Sequence, residues 1–319
     1  MNFWSILKIN NYIIDWDGIK CKMEMRQIME DRRKGFLAVI FAGIIFGCMP
    51  LLAKNIYANG GNPPNLVFWR FFISVPILYL MLRSNDISIK LSKEELKKLL
   101  LVGSIGSAGT AVLLFLSYNY ISTGVATTIH FMYPVFVILE SIIFFHEKVD
   151  PMKIFCTVLC TIGILLLYGG GSDMSPMGIG LAFFSGITYS FYVMYLDKSG
   201  LKSMNSIKLT FYICLISSAV MFVFSVLTGN FTVKMNTMAW LLTSILSIIV
   251  SLGAVNLMNV GIRIIGPQNT AILGTFEPIT SVIIGILIFG EQFSIKLFMG
   301  CILILISVIL IAVFEGKRE

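Results

Sequence analysis

The sequence predicts an all-α, polytopic membrane protein whose ten transmembrane helices form two inverted five-helix repeats. Three observations carry that prediction: a composition too apolar for a soluble domain, ten apolar runs long enough to cross a bilayer, and a self-match at an offset of 143–144 residues. Of the 319 residues, 57% are hydrophobic and 13% charged, against roughly 25% charged in soluble domains. Mean hydropathy is +0.88. The net charge of +7 does not form basic patches interleaved with aromatics on a polar surface, so no nucleic-acid partner is expected. It sits in short loops between apolar runs, which is a topology signal.

Residues 1–34 read as a cytoplasmic N-terminal extension. They hold Lys8, Lys20, Lys22, Arg26, Arg32, Arg33 and Lys34, with no long apolar run and no small-residue cleavage site, which disfavours a signal peptide. A crossing needs about 20 mainly apolar residues. The candidate spans are 35–57, 64–83, 99–120, 123–146, 151–169, 176–196, 205–228, 237–262, 267–290 and 294–314. The first repeat is 35–169 and the second 176–314; residues 315–319 form a cytoplasmic tail. Each run is read as helix because lipid offers backbone groups no partner outside the segment. Proline and glycine punctuate the connections at Asn62-Pro63-Pro64, Gly169-Gly170-Gly171 and Gly266-Pro267. The glycine triplet lacks the GK[ST] continuation of a phosphate loop. Ser92-Lys93-Glu94-Glu95 is a capping-box pattern that starts the third helix before it enters the bilayer. Cys48, Cys156, Cys160, Cys214 and Cys301 lie inside apolar runs without a CxxC motif. They are expected to pack as small hydrophobes and not to hold metal or form disulfides.

Lysine and arginine orient the chain. With the N-terminus inside, 20 of them fall on inner segments and three (Lys54, Lys234, Lys296) on outer ends, leaving only Arg70 within a span. Both termini are therefore expected in the cytoplasm. At an offset of 144, Gly109 falls on Gly253, Leu113 on Leu257, Pro134 on Pro278 and Glu147 on Glu291; at 143, Gly35 falls on Gly178, Gly43 on Gly186, Asn62 on Asn205 and Phe68 on Phe211. Five spans per repeat is an odd number, so the second repeat enters from the opposite side. Many secondary transporters alternate access around a midplane site through that arrangement.

These residues resemble the EamA-type branch of the drug/metabolite transporter superfamily. The resemblance rests on the five-plus-five spans, Arg70-Phe71 in span 2, and a proline with "FFHE" or "IFGE" closing spans 4 and 9. A span with Gly163 or Gly300 then follows in each half; the repeat departs at His146, which stands where the second half has Gly290, and at Ser307, which stands where the first half has Gly163. The resemblance implies a basket of helices around a central cavity lined by spans 1, 3, 4, 6, 8 and 9. It also implies export of amino acids or related metabolites.

The candidate substrate-binding or coupling residues are Arg70, His130, Glu277, Glu140, Tyr133, Asn119, Asn256 and Asn259. At about 1.5 Å per residue, Arg70 and His130 lie roughly 9–10 Å below the outer surface and Glu277 near the midplane. Glu140 is six residues from the inner end of span 4, so Glu277 is the better partner for Arg70 and His130 the better neighbour. An arginine inside a span costs about 2.5–3.5 kcal/mol and meets a partner or a wet cavity. Three readings stay open: bracing through carbonyls or Glu277, snorkelling outward, and bidentate capture of a substrate carboxylate. Bracing ranks ahead of substrate contact. Hydrocarbon disfavours a carboxylate's charge; for Glu277 and Glu140 a protonated, hydrogen-bonded role within the bundle ranks first, with proton coupling the alternative, less so at Glu140. The asparagines can line a polar path or glue helices together, and Tyr133 can pack or stack on cargo.

The expected activity is secondary or facilitative transport of a small metabolite. A multidrug or cation exporter of the same fold is the alternative, and a lipid-handling protein or membrane enzyme a remoter one. With two histidines, no HExxH, no acidic metal cluster and no Walker motif, neither catalysis nor a cofactor is expected. The partners are a small-molecule substrate, the lipid bilayer and, if coupling occurs, protons.

Overall fold

The computed structural model describes residues 16–121, 123–167, 175–289 and 295–316. The Gly169–Gly171 triplet, Gly290, Glu291 and the chain ends at 1–15 and 317–319 lie outside the described residues. Among the described residues every regular element is helical. In chain order they are α1 (Trp16–Gly47), α2 (Met49–Ala58), α3 (Pro63–Ser84), α4 (Lys93–Leu101), α5 (Thr110–Ser117), α6 (Thr123–His130), α7 (Tyr133–Ile143), α8 (Pro151–Leu167), α9 (Pro176–Lys198), α10 (Ser206–Leu227), α11 (Thr237–Leu246), α12 (Val255–Gly274), α13 (Phe276–Phe289) and α14 (Ile295–Gly316). Six helical stretches among them are long and apolar enough to cross a membrane: Arg32–Ala58, Pro63–Ser84, Lys93–Ser117, Pro176–Lys198, Ser206–Leu227 and Thr237–Thr280. Shorter apolar helices make up much of the rest. Large apolar side chains such as Phe41, Leu80, Phe144 and Leu227 face outward, while serines and threonines are buried between helices, the distribution lipid favours.

Several expected rods are interrupted, and each interruption has a local cause. Pro50 cannot donate to the carbonyl of Phe46, and the chain turns at Cys48 between α1 and α2. Pro134 cannot donate to His130, and the fourth span breaks at Phe131–Met132; Pro278 cannot donate to Gly274, and the ninth breaks at Thr275. The two latter breaks are 144 residues apart. Gly266, at φ 80°, kinks α12 ahead of Pro267. Spans 3 and 8 each contain a π-helical stretch, Val102–Gly109 and Ser247–Ala254, in repeat-related register to within one residue. The Ser92 capping box forms in full: Glu95 N–H donates to Ser92 Oγ at 3.1 Å, and Ser92 N–H to Glu95 Oε2 at 2.7 Å.

Packing follows the repeat. α3 packs on its mate α10, and α8 on its mate α14; Asn62 and Asn205 cap α3 and α10 through their side chains. In the second pair, a Cβ at Gly163 would lie 2.9 Å from the Gly300 carbonyl oxygen, and Ser307 Oγ donates to the Cys156 carbonyl at 2.7 Å. Positions 163 and 307, like 156 and 300, are 144 apart, so the contact is self-complementary about a two-fold axis. The first helix of each repeat crosses to the other repeat's broken span. A Cβ at Gly186 would sit 3.0 Å from the His130 carbonyl oxygen, and one at Gly43 would sit 3.2 Å from the Glu277 nitrogen. Only side-chain-free positions allow so close an approach.

Candidate functional site

A cavity of about 80 Å³ lies where these crossings meet. α1, α2, α3, the third span with its π stretch, α6, α9, α12 and α13 contribute to its wall. Most of the lining is apolar or aromatic, including Phe46, Leu114, Phe115, Tyr189, Tyr192 and Met258. Into it come three ionisable side chains from three helices: Arg70, His130 and Glu277.

The backbone at Arg70 is tied across the repeats. Ser247 Oγ, at the head of the second π stretch, donates to the Arg70 carbonyl at 2.6 Å, and Ser74 Oγ lies 2.7 Å from Ser247 Oγ. The side chain is 5% exposed. Its Nη1 approaches Met49 Sδ at 3.4 Å, and its guanidinium carbon lies 4.3 Å from the Phe71 ring centre and 5.6 Å from that of Phe115. Its Nε–H has no hydrogen-bond partner. Among the described residues Arg70 makes no ion pair. The expected brace to Glu277 is therefore not formed: both residues line the cavity without joining. Burial and the aromatic contacts place the head inside the bundle and not at the lipid interface.

Glu277 stands in the first turn of α13, immediately after the Thr275 break. A helix N-terminus inside the membrane presents unbonded N–H groups and partial positive charge, which offsets part of the cost of a carboxylate there. Among the described residues no side chain pairs with it. His130 closes α6, just before the matching break in the first repeat. Its Nδ1 is 2.9 Å from Ser185 Oγ on α9, and its ring packs against Tyr189 at 5.5 Å between centres and Tyr133 at 5.8 Å.

The other candidate residues are placed elsewhere. Tyr133, fully buried, stands at the repeat-related position to Glu277 and donates through its hydroxyl to the Ala271 carbonyl at 3.0 Å. That hydroxyl fills the space a side chain at Gly274 would need, so the residue ties one broken span to the other. Glu140 accepts from Ser190 Oγ at 2.6 Å, joining α7 to α9 outside the cavity wall. Asn259 accepts from the Tyr192 hydroxyl at 2.5 Å and donates to Thr210 Oγ1 at 3.2 Å, holding a lining tyrosine in place. Asn256 lies beside the lining residue Val255 with its Oδ1 unpartnered, but is not in the wall. Asn119 is exposed in the turn after α5, away from the cavity. Glu147 pairs with Lys198, which with Asp197 and Lys202 ties the ends of the fourth and sixth spans.

Sequence reasoning missed Ser185, Tyr189 and Tyr192. Their spacing of four and three residues in span 6 puts them on one helix face, which was the available signal. An arginine that offers donors only, a carboxyl and an imidazole, set among rings and without protein partners for their remaining valences, can hold a small molecule carrying an anionic group and a hydrogen-bond donor.

The model of the EamA-like transporter family matches this chain twice, over residues 33–169 and 176–313. Among similar proteins are an uncharacterized transporter of Synechocystis sp., 29% identical over 60% of this chain, and one of Archaeoglobus fulgidus, 25% identical over 54%. Each alignment spans 59% of the relative's own length. An uncharacterized transporter of Bacillus subtilis is 20% identical over 88% of this chain and 93% of its own. A solved crystal structure overlays with a TM-score of 0.72, covering 89% of this chain and 98% of the other at 16% identity; that likeness concerns the fold alone.

Proposed function

The chain belongs to the EamA-like transporter family, and from that premise we propose that it is a secondary active or facilitative carrier that moves a small metabolite, an amino acid or a related compound, out of the cell. The observation that carries the reading is the meeting of Arg70, whose Nε–H is unmet, with His130 and Glu277 in one cavity lined by both halves of the chain. Alternating access is supported by how the loops meet. The turns around 59–65 and 230–236 bond to each other through Asn62 and Asn230 and through Asn59 and Asn236. The segments around 89–98 and 199–212 do so through Lys98 and Ser199 and through Tyr212 and Ile89. These two clusters sit at opposite ends of α3, and each joins segments that are not repeat mates. That arrangement fits ten spans threaded as two inverted pentads, with both termini in the cytoplasm of a cell whose outer boundary is this membrane.

The carrier would hold the anionic end of its cargo at Arg70 by charge-assisted hydrogen bonds and use Glu277 to carry a proton as the halves rock. Purified protein in liposomes, preloaded with labelled amino acids and related carboxylates under imposed pH gradients, tests this directly. At least one anionic member is expected to exchange faster than in empty liposomes. With Glu277→Gln that flux is expected to lose its response to the gradient. If no member of a broad panel moves under any gradient, the carrier reading is wrong.

A further inference from the structure

The hydrogen bonds around His130 determine which of its two nitrogens carries the proton. Ser185 has a single hydroxyl proton. Its Oγ is 2.6 Å from the Ala182 carbonyl oxygen and 2.9 Å from His130 Nδ1. Two oxygens at 2.6 Å need a proton between them, and a carbonyl has none to offer, so the serine proton belongs to Ala182. The serine oxygen is then an acceptor, and Nδ1 must be the protonated nitrogen. Nε2 carries the free lone pair, and it has no partner among the described residues although the residue is only 5% exposed and lines the cavity. Neither Tyr133 nor Tyr192 can serve it, because their hydroxyl protons go to Ala271 and Asn259. The site therefore combines a donor-only group, Arg70, with an acceptor whose polarity is set from behind by a neighbouring helix.

We propose that His130 Nε2 is a specificity-determining acceptor that reads an N–H or O–H group on the cargo, and that Ser185 is the positioning residue that fixes its tautomer. The inference rests on the carrier reading of this cavity and adds a chemical requirement to it: the cargo bears a hydrogen-bond donor as well as an anionic end. A site built to bond a hydroxyl discriminates strongly against the analogue lacking it, because its own acceptor is then left unpaired.

The chain has two histidines, so His146→Asn leaves His130 alone for spectroscopy; position 146 is at φ 50°, a conformation asparagine tolerates. The full chain, labelled with 15N- and 13C-histidine in lipid nanodiscs at neutral pH, is expected to show a neutral ring protonated at Nδ1. Ser185→Ala is expected to spread the proton over both nitrogens. In liposomes, 2-hydroxy-4-methylpentanoate and 4-methylpentanoate differ by one O–H donor. The hydroxy acid is expected to move at least about tenfold better, with that ratio falling towards one in His130→Leu and partly kept in His130→Gln, whose amide oxygen can still accept. A ring protonated at Nε2 or at both nitrogens overturns the proposal whether or not transport is seen. Equal handling of the two acids by the unaltered protein overturns the acceptor role. Failure of both acids, and of every other anion tried, to move counts against the carrier reading instead, with the tautomer decided separately.

Discussion

Arg70 is a charged group whose surroundings neither neutralise it nor release it to water. Its carbonyl is held by Ser247, its head lies against Phe71 and Phe115, and its Nε–H is unmet. A residue that braced the bundle through a buried ion pair would cost about 3–5 kcal/mol to remove; here there is no pair to break. Arg70→Met is therefore expected to keep wild-type abundance and melting temperature. It should also lower flux of anionic cargo by at least about tenfold, the scale of one lost charge-assisted hydrogen bond. Arg70→Lys keeps the charge without the planar fork and should fall between. Abundance measured by fluorescence size-exclusion beside liposome flux separates the two roles, and loss of abundance in Arg70→Met would restore the bracing reading.

At the scale of elements, the breaks in the fourth and ninth spans organise the site. Each arises where a proline withholds an N–H, and each is approached by a glycine of the opposite repeat's first helix. One break ends in His130, and the other opens into Glu277. The fit at Gly186 is tight: a Cβ would meet the His130 carbonyl at 3.0 Å and the Phe136 ring at 3.1 Å. Gly180, on the same helix, has open space in that direction. Gly186→Leu is expected to destabilise the protein by about 1–3 kcal/mol through overpacking, while Gly180→Leu stays within about 1 kcal/mol of the parent, a helix glycine being no asset in itself. Thermal melts in one detergent decide this, and equal melting of the two variants would show that the close crossing is not needed.

For the whole molecule, the self-complementary contact of α8 with α14 and the opposite placement of repeat-related loops are what the proposed inverted repeat requires. With the charge bias of 20 to 3, it leads to a topological expectation. Cysteines introduced near Asn59 and Asn230, in a background freed of reactive thiols, should label with a membrane-impermeant reagent from outside intact cells. Those near Asp86 and Lys202, and at both chain ends, should label only after the membrane is opened. Labelling of the two ends from opposite sides would rule out the five-plus-five threading.

Sequence alone determined the membrane character, the helical class, the positions of the apolar runs and the register of the repeat. Run length, proline position and charge asymmetry are properties of the chain that no tertiary contact needs to supply. It also picked out Arg70, His130 and Glu277, because an ionisable residue inside hydrocarbon is rare enough to stand out by itself. Tertiary structure alone decided which polar groups share a cavity. Asn119 and Glu140 carry the same kind of sequence signal as His130, yet helix rotation and the proline breaks leave one in an exposed turn and pair the other with Ser190. It also decided that Arg70 and Glu277 stay apart and that Ser185 directs His130, since hydrogen-bond direction depends on which helix faces which, and that is a property of packing and not of spacing along one chain.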